Sequence, residues 1–106
     1  MKVVSFTVLG VLVLGALAPA LAQGQDLAVH GKAQFLQQGC HGCHAIGALG
    51  TPIAPDLSRI GARYSRAYLM RWLRDPSAHV PTASMPTLEL SEEQVEALAA
   101  YLSSLR

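Results

Sequence analysis

The sequence predicts a small all-α domain of about three main helices closed around a covalent staple. Three observations predict it. Apolar residues recur at helical spacing behind recognisable caps in three stretches, and no stretch reads with confidence as a strand. The chain has 106 residues, enough for one domain but short for a core that needs no reinforcement. Its only two cysteines lie together in Cys40-His41-Gly42-Cys43-His44.

The first 22 residues read as an export signal. Lys2 is its positive start, residues 3–18 are apolar and uncharged, and Pro19 breaks the run. Ala20-Leu21-Ala22 is a small-x-small cleavage site. Cleavage after Ala22 leaves residues 23–106 as a mature domain, in a periplasmic or other extracytoplasmic space. The competing reading is a retained anchor, since about 20 apolar residues can cross a bilayer. Gly10, Gly15 and Pro19 favour cleavage, and only retention would place the protein on a membrane. The chain carries eight Lys plus Arg, one of them Lys2, and seven Asp plus Glu, so residues 23–106 are formally neutral. No basic excess points to nucleic acid. The charges are uneven: Arg59, Arg63, Arg66, Arg71 and Arg74 crowd the middle, while Glu89, Glu92, Glu93 and Glu96 crowd the end.

Asp26 is a suitable N-cap for a first helix over residues 27–38. Leu27, Ala33 and Leu36, with Val29 or Phe35, form its expected apolar stripe, and Gly39 is its stop. Gly31 inside this helix costs about 1 kcal/mol against alanine. That cost suggests close approach by another backbone.

The pentapeptide follows at once. Two cysteines separated by two residues and followed by histidine read as a c-type haem attachment site. Each thiol adds across one haem vinyl group, and the spacing lets a tight turn offer both sulfurs to one porphyrin edge. His44 then supplies an imidazole for the iron. A Cys40–Cys43 disulfide is a competing reading in an oxidising space. A thioredoxin-like pair would need a preceding strand, which is missing, and a zinc site would need further ligands, with His30, His41 and His79 as the available ones.

Residues 46–55 hold Gly47, Gly50, Pro52 and Pro55 and read as a loop. The Pro55 carbonyl can accept the second ring N–H of His44, which would set its tautomer. Residues 56–61 suggest one helical turn. Ser65 caps a second main helix that ends at Asp75-Pro76, with Leu69, Trp72, Leu73 and Tyr68 on its buried face and Met70 on its solvated one. Pro76, Pro81 and Pro86 punctuate an extended segment that contains His79 and Met85. The last helix opens on a capping box, Ser91 with Gln94, and a hydrophobic staple, Leu90 with Val95. It continues to about Leu105 through Leu98 and Leu102, with Tyr101 adjoining.

A haem held by His44 has one further iron position. The candidates are His30, His41, His79, Met70 and Met85. His41 lies within the attachment turn, His30 on the preceding helix, and Met70 beside Arg66 and Arg74 on a solvated face. Met85, a lone methionine in a polar proline-bounded segment, is the expected ligand, with His79 as the lesser candidate.

These residues together resemble the class I cytochrome c family across nearly all of residues 23–106. The similarity includes the order of helix, Cys-x-x-Cys-His, Gly/Pro loop, helix, Met85-Pro86 and helix. Ala54-Pro55-Asp56-Leu57 is similar to the family's Gly-Pro-x-Leu, with alanine in place of glycine. Gly31 and Phe35 resemble the glycine and aromatic of the family's first helix, and Leu98 and Tyr101 resemble their partners on the last. The resemblance implies a fold packed around one haem c, bound through Cys40 and Cys43 with iron ligands His44 and Met85. It implies a single-electron carrier whose partners are redox proteins, or the haem subunit of a larger oxidoreductase. A haem enzyme or small-molecule sensor with an open distal site is the alternative. The lysine ring of mitochondrial-type carriers is missing, so docking is expected at a mostly apolar haem edge with modest salt dependence. The family's propionate-bonding tryptophan is also missing, and Tyr64, Arg59 and Arg63 are the candidates for its role. The pattern Arg63-Tyr64, Trp72-Leu73, Asp75-Pro76 is similar to domains fused to, or partnered with, respiratory oxidases and reductases.

Overall fold

The computed structural model describes residues 2–5, 7, 10, 18–80, 82 and 84–106. Half of the 22 residues of the expected export signal lie outside the described residues. Three main helices carry the fold: α1 (Ala18–Gln37), α3 (Arg66–Arg74) and α5 (Glu92–Ser103). Two single-turn helices, α2 (Ile60–Arg63) and α4 (Pro76–His79), flank α3. A two-stranded hairpin, β1 (Ala45–Ile46) and β2 (Leu49–Gly50), pairs antiparallel with Ala45 opposite Gly50.

The core forms where α1, α3 and α5 meet. Phe35, Leu69, Leu73, Val95, Leu98, Ala99, Tyr101 and Leu102 make one buried cluster. Fully burying a side chain such as Phe35 or Leu98 contributes about 1.5–3 kcal/mol. The Phe35 and Tyr101 rings meet edge to face, with centroids 6.0 Å apart.

Gly31 sets the α1–α5 crossing. A Cβ at this position would lie 1.9 Å from the Ala97 carbonyl oxygen and 2.6 Å from Tyr101 Cβ. Only a residue without a Cβ allows the two backbones this close. The expected neighbour Tyr101 is present, and Ala97 is the second one.

The caps of α3 and α5 form as the sequence indicates. Ser65 Oγ accepts from the Tyr68 N–H. Ser91 Oγ accepts from the Gln94 N–H while the Gln94 side chain accepts from the Ser91 N–H, which completes the capping box. Leu90 packs against the core cluster and Val95 lies within it, as a hydrophobic staple requires. Gly39 follows α1 with φ of 76°, the left-handed stop expected of it.

Several expectations are corrected. Asp26 does not cap α1: the helix runs through it from Ala18. Capping preference acts only where the chain enters a helix, and the Ala, Leu and Gln residues before Asp26 are themselves good helix formers. The stripe on α1 is narrower than expected. Gly31 and Phe35 are buried, but Val29 is 67% and Leu36 39% exposed, and Ala33 is exposed too. Met70 is half-buried against the core rather than solvated. Met70 follows the buried Leu69 directly on α3, so it borders the buried face of the helix and packs at the edge of the cluster. Pro76 starts a helical turn instead of an extended segment. Asp75 caps it by accepting from the Ala78 N–H, and Pro76 takes the first helical position, where no N–H is needed. The turn expected at residues 56–61 sits further on, at α2. Among the described residues, no helix is long and apolar enough to cross a membrane.

Candidate functional site

The attachment pentapeptide forms a 3₁₀ turn, Cys40–Gly42, directly after the Gly39 stop. Backbone bonds close it: the N–H groups of Cys43 and His44 both donate to the Cys40 carbonyl, at 3.2 and 2.9 Å. Cys40 is half-buried and Cys43 exposed, and neither is in a disulfide. Burial pushes the Cys40 thiol up, against a smaller lowering by a backbone hydrogen bond.

The loop after the turn folds back over it. The Thr51 N–H donates to the His41 carbonyl at 3.0 Å, and the Ala54 N–H to the Cys43 carbonyl at 2.8 Å. Gly50 has φ of 89°, and a Cβ there would lie 2.2 Å from the His44 carbonyl oxygen. Both facts require glycine. Ser58 ties the loop's far side: its Oγ accepts from the Gly47 N–H at 2.7 Å. Hydrogen bonds from Ser58, chiefly its hydroxyl, hold the Asp56 carboxyl below the usual range. Neither Ser58 nor Gly50 stands out in the sequence; the density of glycine and proline there is the only signal.

This wrapping brings the Pro55 carbonyl to His44 Nδ1 at 2.7 Å. A carbonyl oxygen only accepts, so Nδ1 must carry the proton and donate. In the neutral ring, Nε2 then keeps its lone pair. A carbonyl behind the ring also orients it and raises its basicity as a ligand.

The candidate iron ligands are placed as follows. Met85 is half-buried and packs against the same buried cluster as Cys40, and Met70 does so too. His79 is exposed and stacks on Trp72, with ring centroids 5.7 Å apart. His30 is exposed on α1. His41 is half-buried, its ring 6.5 Å from that of Phe35, and its buried Nδ1 has no hydrogen-bond partner. Among the described residues, no three His, Cys, Asp or Glu side chains gather to hold a metal, so zinc gains no support. Two unpaired thiols in one turn, an imidazole with a free Nε2 and a half-buried thioether suit haem c. So does an edge of half-buried apolar side chains, among them Ile46, Leu49, Leu57 and Ile60, around the core.

An all-α fold that presents such a turn, with its histidine backed by a loop carbonyl, defines the c-type cytochromes as a class. The sequence profile of the cytochrome c family matches residues 28–106, and the chain belongs to that family. Family membership implies covalently bound haem c. The chain is 37% identical over 91 residues to a cytochrome c oxidase subunit 2 of Alkalihalophilus pseudofirmus, covering 77% of this chain and 27% of that protein. It is 35% identical to the corresponding subunit of a Bacillus species, covering 76% of this chain and 26% of that protein. It is 29% identical to the C subunit of nitric oxide reductase from Stutzerimonas stutzeri, covering 73% of this chain and 57% of that protein. The chain thus spans about a quarter of the oxidase subunits and just over half of the reductase subunit.

Proposed function

We propose that this chain is an exported monohaem c-type cytochrome that passes single electrons between redox proteins, as a free carrier or as the haem subunit of a larger oxidoreductase. The observation that carries the reading is the 2.7 Å contact between His44 Nδ1 and the Pro55 carbonyl, within a turn that also holds Cys40 and Cys43. Cys40 and Cys43 would anchor the group by thioethers, and His44 Nε2 and Met85 Sδ would hold its iron. The iron would supply one-electron exchange between its ferric and ferrous forms. The chain's part is to hold ligands that suit both forms, so that little rearranges on transfer. Pro55 fixes the His44 ring, and Met85 closes the distal side to peroxide and gases. The oxidase and reductase relatives support a partner among respiratory complexes, and the uncharged run before Ala20-Leu21-Ala22 supports an extracytoplasmic place.

Protein matured in a periplasm tests this. Acid-acetone should leave the haem attached, and the denatured mass should equal residues 23–106 plus one haem. Ferrous wild type should bind carbon monoxide poorly, while Met85→Ala should bind it readily and gain peroxidase activity. Equal binding by both would show an open distal site and replace the carrier with an enzyme or sensor. Extractable haem would end the reading altogether.

A further inference from the structure

The arginines are not spread evenly over the surface. Arg63, Arg66 and Arg106, from the end of α2, the start of α3 and the chain beyond α5, line one cleft of about 440 Å³. All three are exposed. No Asp or Glu side chain lines the cleft. The one salt bridge among the described residues, Arg74 with Glu92, joins other ends of α3 and α5. Three arginine side chains line one hollow with no acidic side chain among its lining residues.

The cleft floor joins two distant segments of chain. The Gly61 N–H donates to the Leu105 carbonyl at 2.7 Å, and a Cβ on Gly61 would lie 2.2 Å from the Ser103 carbonyl oxygen. Ser65, on the cleft wall, is held as the cap of α3. The guanidinium fork is planar and preorganised, so less freedom is lost per hydrogen bond that it forms.

From this we propose that the Arg63–Arg66–Arg106 cleft is a docking site for a short carboxylate-rich segment of a partner protein. The planar guanidinium fork matches a carboxylate in two-point contact. A long polyanion fits poorly, because residues 23–106 are formally neutral and Glu89, Glu92, Glu93 and Glu96 would repel it. A lipid surface fits poorly too, because Tyr64 is the only large apolar side chain lining the cleft, and membrane-surface binding needs several. The proposal rests on the electron-carrier reading only in taking the partner to be a redox protein.

The test uses haem-loaded protein and synthetic hexaglutamate as the probe, followed by amide chemical shifts at low ionic strength. Shift changes should fall on residues 61–66 and 103–106 and fade as salt is added. The double variant Arg66→Glu/Arg106→Glu should weaken binding tenfold or more, while Arg71→Glu, outside the cleft, should change it less than twofold. Unchanged haem absorption and melting temperature show that each variant is folded. Shifts centred elsewhere, or equal weakening by Arg71→Glu, would overturn the proposal. Binding to phosphatidylglycerol vesicles without binding to hexaglutamate would overturn it in favour of a membrane. Concentration-dependent self-association lost in the double variant would overturn it in favour of a second copy. None of these readouts involves electron transfer, so a failure here is separable from failure of the carrier reading.

Discussion

The attachment turn and the α1–α5 crossing are held together in different ways. From Cys40 to Ala54 the chain is tied mainly by backbone hydrogen bonds, and Ala45 is the only fully buried side chain. At the crossing, apolar side chains are shut away from water, and Gly31 lets one backbone touch the other. The first arrangement is directional and local, and suits a site that must aim a ring nitrogen. The second depends on volume and brings together segments more than sixty residues apart in the sequence.

Gly31→Val should break the packed region with the largest effect. Its Cβ would strike the Ala97 carbonyl, which belongs to helix backbone and cannot swing aside. We expect a loss of about 3 kcal/mol or more, at or beyond the usual range for overpacking. Denaturant unfolding of the haem-loaded protein measures it. A change within about 0.5 kcal/mol, the norm for surface positions, would show that the helices do not meet there.

Gly50→Ala attacks the hydrogen-bonded region. The new methyl combines a left-handed φ with a clash against the His44 carbonyl, at an expected cost of about 2 kcal/mol. It should also shift the haem absorption bands, because the loop that carries Pro55 moves. The folded fraction of Gly31→Val should keep wild-type bands. If the two variants perturb the spectrum equally, the two regions are not independent.

Ser91→Ala sharpens the packed side. It removes one half of the α5 capping box and should cost about 1 kcal/mol in thermal unfolding, without a spectral change. An unchanged melting temperature would show that packing alone holds the start of α5.

The smallest effect concerns pH. The hydrogen bond from Arg74 holds the Glu92 carboxyl below its ordinary value. A carboxyl depressed in the folded state stabilises the protein above its unfolded pKa of about 4.3. That stabilisation is lost as pH falls through the depressed folded value. Glu92→Gln should therefore flatten the acid limb of the melting-temperature profile slightly, and both groups are exposed enough for salt to mask it. A steeper acid limb in the variant would reverse the assigned sign.

Much of the fold was legible because its signals are local. Ser65 and Ser91 each reach a backbone N–H three residues on, so spacing alone identifies them. The Cys40-to-His44 motif is legible for the same reason, since its chemistry requires a fixed separation along the chain. Gly31 was legible as an anomaly, a helix interior residue whose cost calls for a compensating contact. Asp26 looked like a cap by its residue type alone, but that preference has to be weighed against the helix formers before it, through which the helix already runs. Other features depend on distant residues. Val29, Ala33 and Leu36 have helical spacing, but which face of α1 is covered depends on where α5 lies. Met70 looked solvated between Arg66 and Arg74, and only the packing of α3 against the cluster puts it at the core edge. Gly61 carries no sequence signal, because the Ser103 carbonyl it meets comes from the far end of the chain.

By itself the sequence determined the helical class, the caps, the turn that holds Cys40, Cys43 and His44, and the family to which the chain belongs. These follow from chemistry within a few residues of chain, where geometry leaves little choice. Tertiary structure alone decided which side of α1 is buried and that Met70 lies against the core, and it turned the Pro55–His44 bond from an option in the sequence into a contact. It also decided that three arginines from separate segments share one cleft. Those outcomes depend on how whole helices pack, and packing is settled by the fit of distant surfaces rather than by any one stretch of sequence.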